Sequence, residues 1–112
     1  GGNGKTPVVI ALANCLKNHG FKPGVISRGY QAKLNHTPTE LQPQHQAHEV
    51  GDEPLLIYRS LKIPVVIAKK RRLACEHLLS KHPEIDVVIS DDGLQHYALS
   101  RQIEIALVSE QD

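Results

Sequence analysis

The sequence predicts an α/β domain built on a mainly parallel sheet with helices on both faces. Two observations predict it. First, short runs of strong β character, Gly24–Ser27, Pro64–Ala68, Asp86–Ser90 and Ile103–Val108, alternate with stretches of helical periodicity. Second, runs such as Val87-Val88-Ile89 are apolar at successive positions, as strands covered on both faces must be.

The elements follow in order. Thr6 to about His19 reads as a helix, because Val9, Leu12, Ala13 and Leu16 recur at three- and four-residue spacing. Pro7 fits only in a first turn, where backbone donors are free, and Gly20 is placed to end the helix in a left-handed conformation. The strand Gly24–Ser27 closes on Arg28-Gly29-Tyr30. Residues 31–50, rich in Gln, His, Thr and Pro, read as one long exposed loop. A second helix is expected over Glu53–Leu61, with Asp52 near its N-cap, and a third over Lys70–Lys81, with Leu73, Cys75, Leu78 and Leu79 facing inward.

Composition narrows the function classes. A length of 112 residues fits one domain or a piece of one, and a formal net charge of +1 gives no reason to expect nucleic acid as a partner. No apolar run approaches the roughly 18 residues of a membrane span, no signal peptide is present, and nothing points to a protein partner. Cys15 and Cys75 lack metal-ligand spacing and read as reduced thiols. The sequence contains no Met and opens directly on a phosphate-binding motif. It is therefore expected to be an internal piece of a longer protein: residues 1–112 of a partial nucleotide-binding domain, with the preceding strand and a second domain outside it.

That motif is Gly1-Gly2-Asn3-Gly4-Lys5-Thr6, the back of the pattern G-x-x-x-x-G-K-[ST]. In it, Gly2, Asn3 and Gly4 would turn backbone N–H groups around a phosphate. The helix that follows, with Pro7 in its first turn, would present its positive end to the same anion. Lys5 would reach the β- and γ-phosphates of ATP, and Thr6 would offer a hydroxyl to Mg²⁺. The competing reading is a flexible turn before a helix. The fold class sharpened by this motif is P-loop NTPase-like.

Asp91-Asp92-Gly93 ends an apolar strand, where open parallel sheets bind their ligands and where a Mg-nucleotide site needs an acidic group. Adjacent carboxylates repel one another, and a cation relieves them. A solvated turn is the alternative. Gln95 and His96 follow closely enough to line the same cleft. Asp52 has two open readings, a helix N-cap or a general base for phosphoryl transfer to an alcohol. Arg28 could reach a phosphate or be an ordinary surface residue. The basic run Lys69-Lys70-Arg71-Arg72 could be a solvated face or a contact for an anion or acidic lipid.

Together these blocks resemble one family. Gly1–Pro7, Ser27-Arg28-Gly29-Tyr30, Val50-Gly51-Asp52-Glu53-Pro54 and Asp91-Asp92-Gly93-Leu94-Gln95-His96-Tyr97 stand in the order and at the separations of the tetraacyldisaccharide 4′-kinases of lipid A biosynthesis. The resemblance runs over nearly the whole sequence, and its last block is the most specific. It implies ATP and Mg²⁺ as cofactors and a tetraacylated glucosamine disaccharide 1-phosphate as acceptor, giving lipid IVA. It implies a place on the cytoplasmic face of the bacterial inner membrane, held there by parts outside this sequence. Lys5 and Thr6 match the family's phosphate and Mg²⁺ residues, Asp91 and Asp92 its acidic pair, and Asp52 its catalytic base. The His partner of that base is expected beyond residue 112. The chain departs from the family at Gln31, where a Gly is usual, and in the polarity of residues 31–50. A switch GTPase of metallochaperone type is the alternative, though no NKxD motif occurs here. A plain α/β domain without nucleotide is a third reading.

Overall fold

The computed structural model describes residues 5–28, 37–90 and 104–107. Within them the chain forms α1 (Lys5–Asn18), β1 (Pro23–Ser27), β2 (Thr39–Glu40), α2 (Ala47–Val50), α3 (Asp52–Leu61), β3 (Val65–Ile67), α4 (Arg71–Lys81), β4 (Val87–Ser90) and β5 (Glu104–Leu107). The strands make one sheet in the order β2-β3-β1-β4-β5. β1 is parallel to β3 and β4, and β4 to β5, while β2 alone runs antiparallel, against β3. The sheet is thus mixed, with a parallel body and one short antiparallel edge.

Alternation of side chains along the parallel strands splits the core into two layers. Val25, Val65, Ile67, Val87 and Ile89 face α1 and α3, where Val9, Ala13, Leu55, Ile57 and Leu61 meet them. Ile26, Val66 and Val88 face the other way, onto Ala74, Cys75, Leu78 and Leu79 of α4. Helices therefore cover both faces, as the unbroken apolar strand sequences require. Leu12, Leu16 and Leu73, expected inside, are only partly buried at the margins of these clusters.

Helix ends follow from local chemistry. α1 stops in a Schellman turn, in which Gly20 N–H donates to Lys17 O and Phe21 N–H to Leu16 O, both at 3.0 Å. Gly20 has φ +89, a left-handed value that glycine adopts without a Cβ penalty. α4 packs closely on β1 because position 24 has no side chain. A Cβ there would stand 2.6 Å from Ile85 Cδ1 and 2.9 Å from Leu78 Cδ2.

Two expectations need correction. Residues 37–50 are not uniform loop. They hold β2 and α2, and Leu41 and Val50 are core residues. These short elements carry too few apolar positions to show a period. Their polar residues serve specific bonds instead, one local and one long-range: Gln46 N–H donates to Glu49 Oε1 at 2.8 Å, and His82 Nε2 meets Glu40 Oε2 at 2.8 Å. Nor is Asp52 an N-cap. Gly51 takes that position, with φ 100 and ψ 147, and Asp52 is the first helical residue of α3.

Candidate active site

Topology fixes where a ligand can sit. The chain leaving β1 passes to β2 and then β3 on one side, and the one leaving β4 leads to β5 on the other. The crevice outside the carboxyl ends of β1 and β4 is therefore the switch point of the sheet, where open α/β sheets bind ligands. α1, α3 and α4 each run back toward the amino end of the strand that follows them. Their N-termini, with free N–H groups and positive dipole ends, all stand at this carboxyl edge.

The buried polar residues that are described gather there too. Ser27 and Ser90 end β1 and β4, and Thr6, only 5% exposed, is the second residue of α1. A hydroxyl so placed at a helix N-terminus suits an anion or a hard cation held with one.

A cavity of ≈ 540 Å³ opens between the N-terminal turns of α1 and α3. From α1 it is lined by Thr6, Pro7, Ile10 and Ala11, and from α3 by Asp52, Glu53 and Leu56. The fold thus brings Thr6, Pro7 and Asp52, far apart in sequence, onto one surface. Because Gly51 caps α3, the Asp52 carboxylate is spent on no N-cap bond and stands exposed at the mouth of the cavity. Lys5 opens α1 beside Thr6. Arg28 is exposed directly after β1 but does not line the cavity. Gly2, Asn3, Gly4, Asp91, Asp92, Gln95 and His96 lie outside the described residues. Among the described residues no three metal-ligating side chains converge.

The basic run also reaches this edge, since α4 begins at Arg71 just after β3. Arg72 pairs with Glu76 at 4.0 Å on the surface, an exposed contact of small energetic weight. A smaller cavity of ≈ 290 Å³ lies at the opposite edge, among Lys17, Lys22, Lys62 and Glu84, and contains none of the expected site residues.

Sequence reasoning missed Ile10, Ala11, Glu53 and Leu56. Spacing could have found most of them. Ile10 and Ala11 follow Pro7 by three and four residues, and Leu56 follows Asp52 by four, so each shares a helix face with a residue already singled out.

Comparison with known proteins decides the lineage. The profile of the tetraacyldisaccharide-1-P 4′-kinase family matches residues 1–112. The chain belongs to the tetraacyldisaccharide 4′-kinase family. Relatives named tetraacyldisaccharide 4′-kinase include those of Herminiimonas arsenicoxydans, 54% identical over 96% of this chain and 30% of the relative, and Thiobacillus denitrificans, 51% identical over 96% and 32%. That of Coxiella burnetii is 50% identical over 98% of this chain and 34% of its own length. The chain thus spans about a third of the length of the curated relatives it matches. No solved structure matches it. The kinase family is one of phosphotransferases, and the switch-GTPase alternative has no representative among these relatives. No described helix is long and apolar enough to cross a membrane.

Proposed function

We propose that the protein containing this chain transfers the γ-phosphoryl group of ATP to the 4′-hydroxyl of a tetraacylated glucosamine disaccharide 1-phosphate, giving lipid IVA. It would do so at the cytoplasmic face of the bacterial inner membrane. The observation that carries this reading is the shared cavity of Thr6 and Asp52, which puts a phosphate-side hydroxyl and an exposed carboxylate on facing helices. The family membership supports the same chemistry.

In this reading residues 1–112 are a partial P-loop domain. The phosphates lie across the N-terminus of α1, whose free N–H groups and dipole favour them. Lys5 neutralises charge on the β- and γ-phosphates. The carboxylate of Asp52 accepts the proton of the acceptor hydroxyl as its oxygen bonds to the γ-phosphorus and ADP departs. The His that assists Asp52 is proposed to lie beyond residue 112. Thr6 fits a magnesium ion, since its hydroxyl is a hard oxygen donor nearly closed off from bulk water at the helix head. Asp91 and Asp92 would complete that set, and the bound ion would offset phosphate charge.

The test is steady-state kinetics of the full-length protein with Asp52→Asn. Losing a general base should cut kcat by roughly 10²–10⁴-fold while leaving the KM for ATP within about a factor of three. Near-normal kcat in that variant would remove Asp52 from the mechanism.

A further inference from the structure

The buried polar residues among those described are Thr6, Ser27 and Ser90. The phosphate motif accounts for Thr6. Ser90 pairs with Ile26 and so turns toward α4, on the face of the sheet away from the cavity. Ser27 has no part in the reading above. It ends β1, is 7% exposed, and faces the layer of α1 and α3. Its partner in the parallel ladder, Ile67, packs in that layer, and so does Val25 two residues earlier.

The place of this hydroxyl in the fold is specific. α1 packs on β1 and α3 on the neighbouring β3. Ser27 and Ile67 are the last residues of those two strands. They therefore lie under the gap between the heads of α1 and α3, which carry Thr6 and Asp52 on the cavity wall. Packing alone gives no reason for a hydroxyl there. Strands covered on both faces favour Val and Ile, and Val25, Val65 and Ile67 fill the same face around it. A buried hydroxyl is kept with a partner to bond, and it then fixes that partner as well as itself. Ser27 is not among the residues that line the cavity, so it acts on the helix heads above it.

We infer that Ser27 is a positioning residue for phosphoryl transfer, whose hydroxyl, on the floor between the heads of α1 and α3, sets the span between Thr6 and Asp52. The inference rests on the kinase reading above. In that reading the γ-phosphoryl group lies between the phosphate-side hydroxyl and the carboxylate, and in-line transfer needs that span held. Ground-state binding of ATP draws instead on the N–H groups at the head of α1 and on Lys5, within one helix. Ser27 touches no reacting atom and acts through the two helices.

Ser27→Ala and Ser27→Thr in the full-length protein test it. Alanine removes the hydroxyl without adding volume. Threonine keeps it and adds a methyl group of the kind that strands accept. For each variant kcat, the KM for ATP and Tm are measured, with kcat taken per folded molecule. Ser27→Ala is expected to lower kcat by roughly ten- to a hundredfold and to leave the KM for ATP within about a factor of three. Ser27→Thr is expected to return kcat to within about threefold of wild type. A hydroxyl that only stabilises the fold would move Tm and leave kcat per folded molecule unchanged. Wild-type kcat in Ser27→Ala, or a loss that Ser27→Thr does not restore, would overturn the inference and leave the kinase reading standing. No transfer by the wild-type protein to the tetraacylated disaccharide 1-phosphate would sink the kinase reading, and this inference with it.

Discussion

Gly51 decides where the Asp52 carboxylate stands. Its φ of 100 and ψ of 147 lie close to a region that only glycine occupies freely, and this conformation turns the chain from α2 into α3 within one residue. Gly51→Ala would cost about 1–3 kcal/mol if the backbone held, and the first turn of α3 has an easier way out by shifting. A displacement near 1 Å at a catalytic group costs on the order of 10²-fold in rate. On the proposed role of Asp52, Gly51→Ala in the full-length protein is therefore expected to lower kcat by roughly that factor with little effect on ATP binding, which comparing turnover with nucleotide titration would check. The placement of Asp52 was only partly legible in the sequence. An acidic residue at the start of a helix reads as a cap, and only the backbone angles of its neighbour show that the cap lies elsewhere. The place of Thr6 was easier to read, because the phosphate motif puts it at the head of a helix, where the structure has it.

At the scale of elements, glycines with different jobs predict different costs. Gly20 ends α1 at positive φ, and nothing lies within 4 Å of a Cβ added there. Gly20→Ala should thus cost only the left-handed backbone penalty, about 1 kcal/mol. Gly24 has ordinary φ, but an added Cβ would press on Ile85 and on Leu78, which is fully buried. Overpacking a tight core costs typically 1–3 kcal/mol, so Gly24→Ala should be the more damaging of the two in urea unfolding, and equal midpoints would contradict this account. Gly20 was readable from its position after a helical stripe. Gly24 was not, because close packing of α4 on β1 is a long-range fact with no local sign. The same distinction explains α2 and β2. Leu41 and Val50 are buried, yet each is an isolated apolar residue in a polar stretch, so no period announced them.

Across the described residues, one sheet separates two cores, and the candidate-site cavity is held on one side only. α1 and α3 share a core with the sheet and present Thr6 and Asp52 from its upper rim. The opposite face depends on α4 alone among the described helices. That division was foreseen by the unbroken apolar strands, whereas the switch point was not, since strand order depends on which distant segments pair. It also yields a test of how the halves depend on each other. Leu78 is fully buried beneath α4, and Leu78→Ala should cost about 2–5 kcal/mol through lost burial and a residual cavity. The substituted side chain lies on the face away from the cavity and is not among the residues that line it. If the sheet couples both faces into one cooperative unit, the cost will appear as a single shifted transition in urea, with ATP affinity in the folded protein preserved. A transition in which the α4 face melts first while nucleotide binding persists would mean that the two cores are separate units, and that the candidate site needs only the layer formed by α1 and α3.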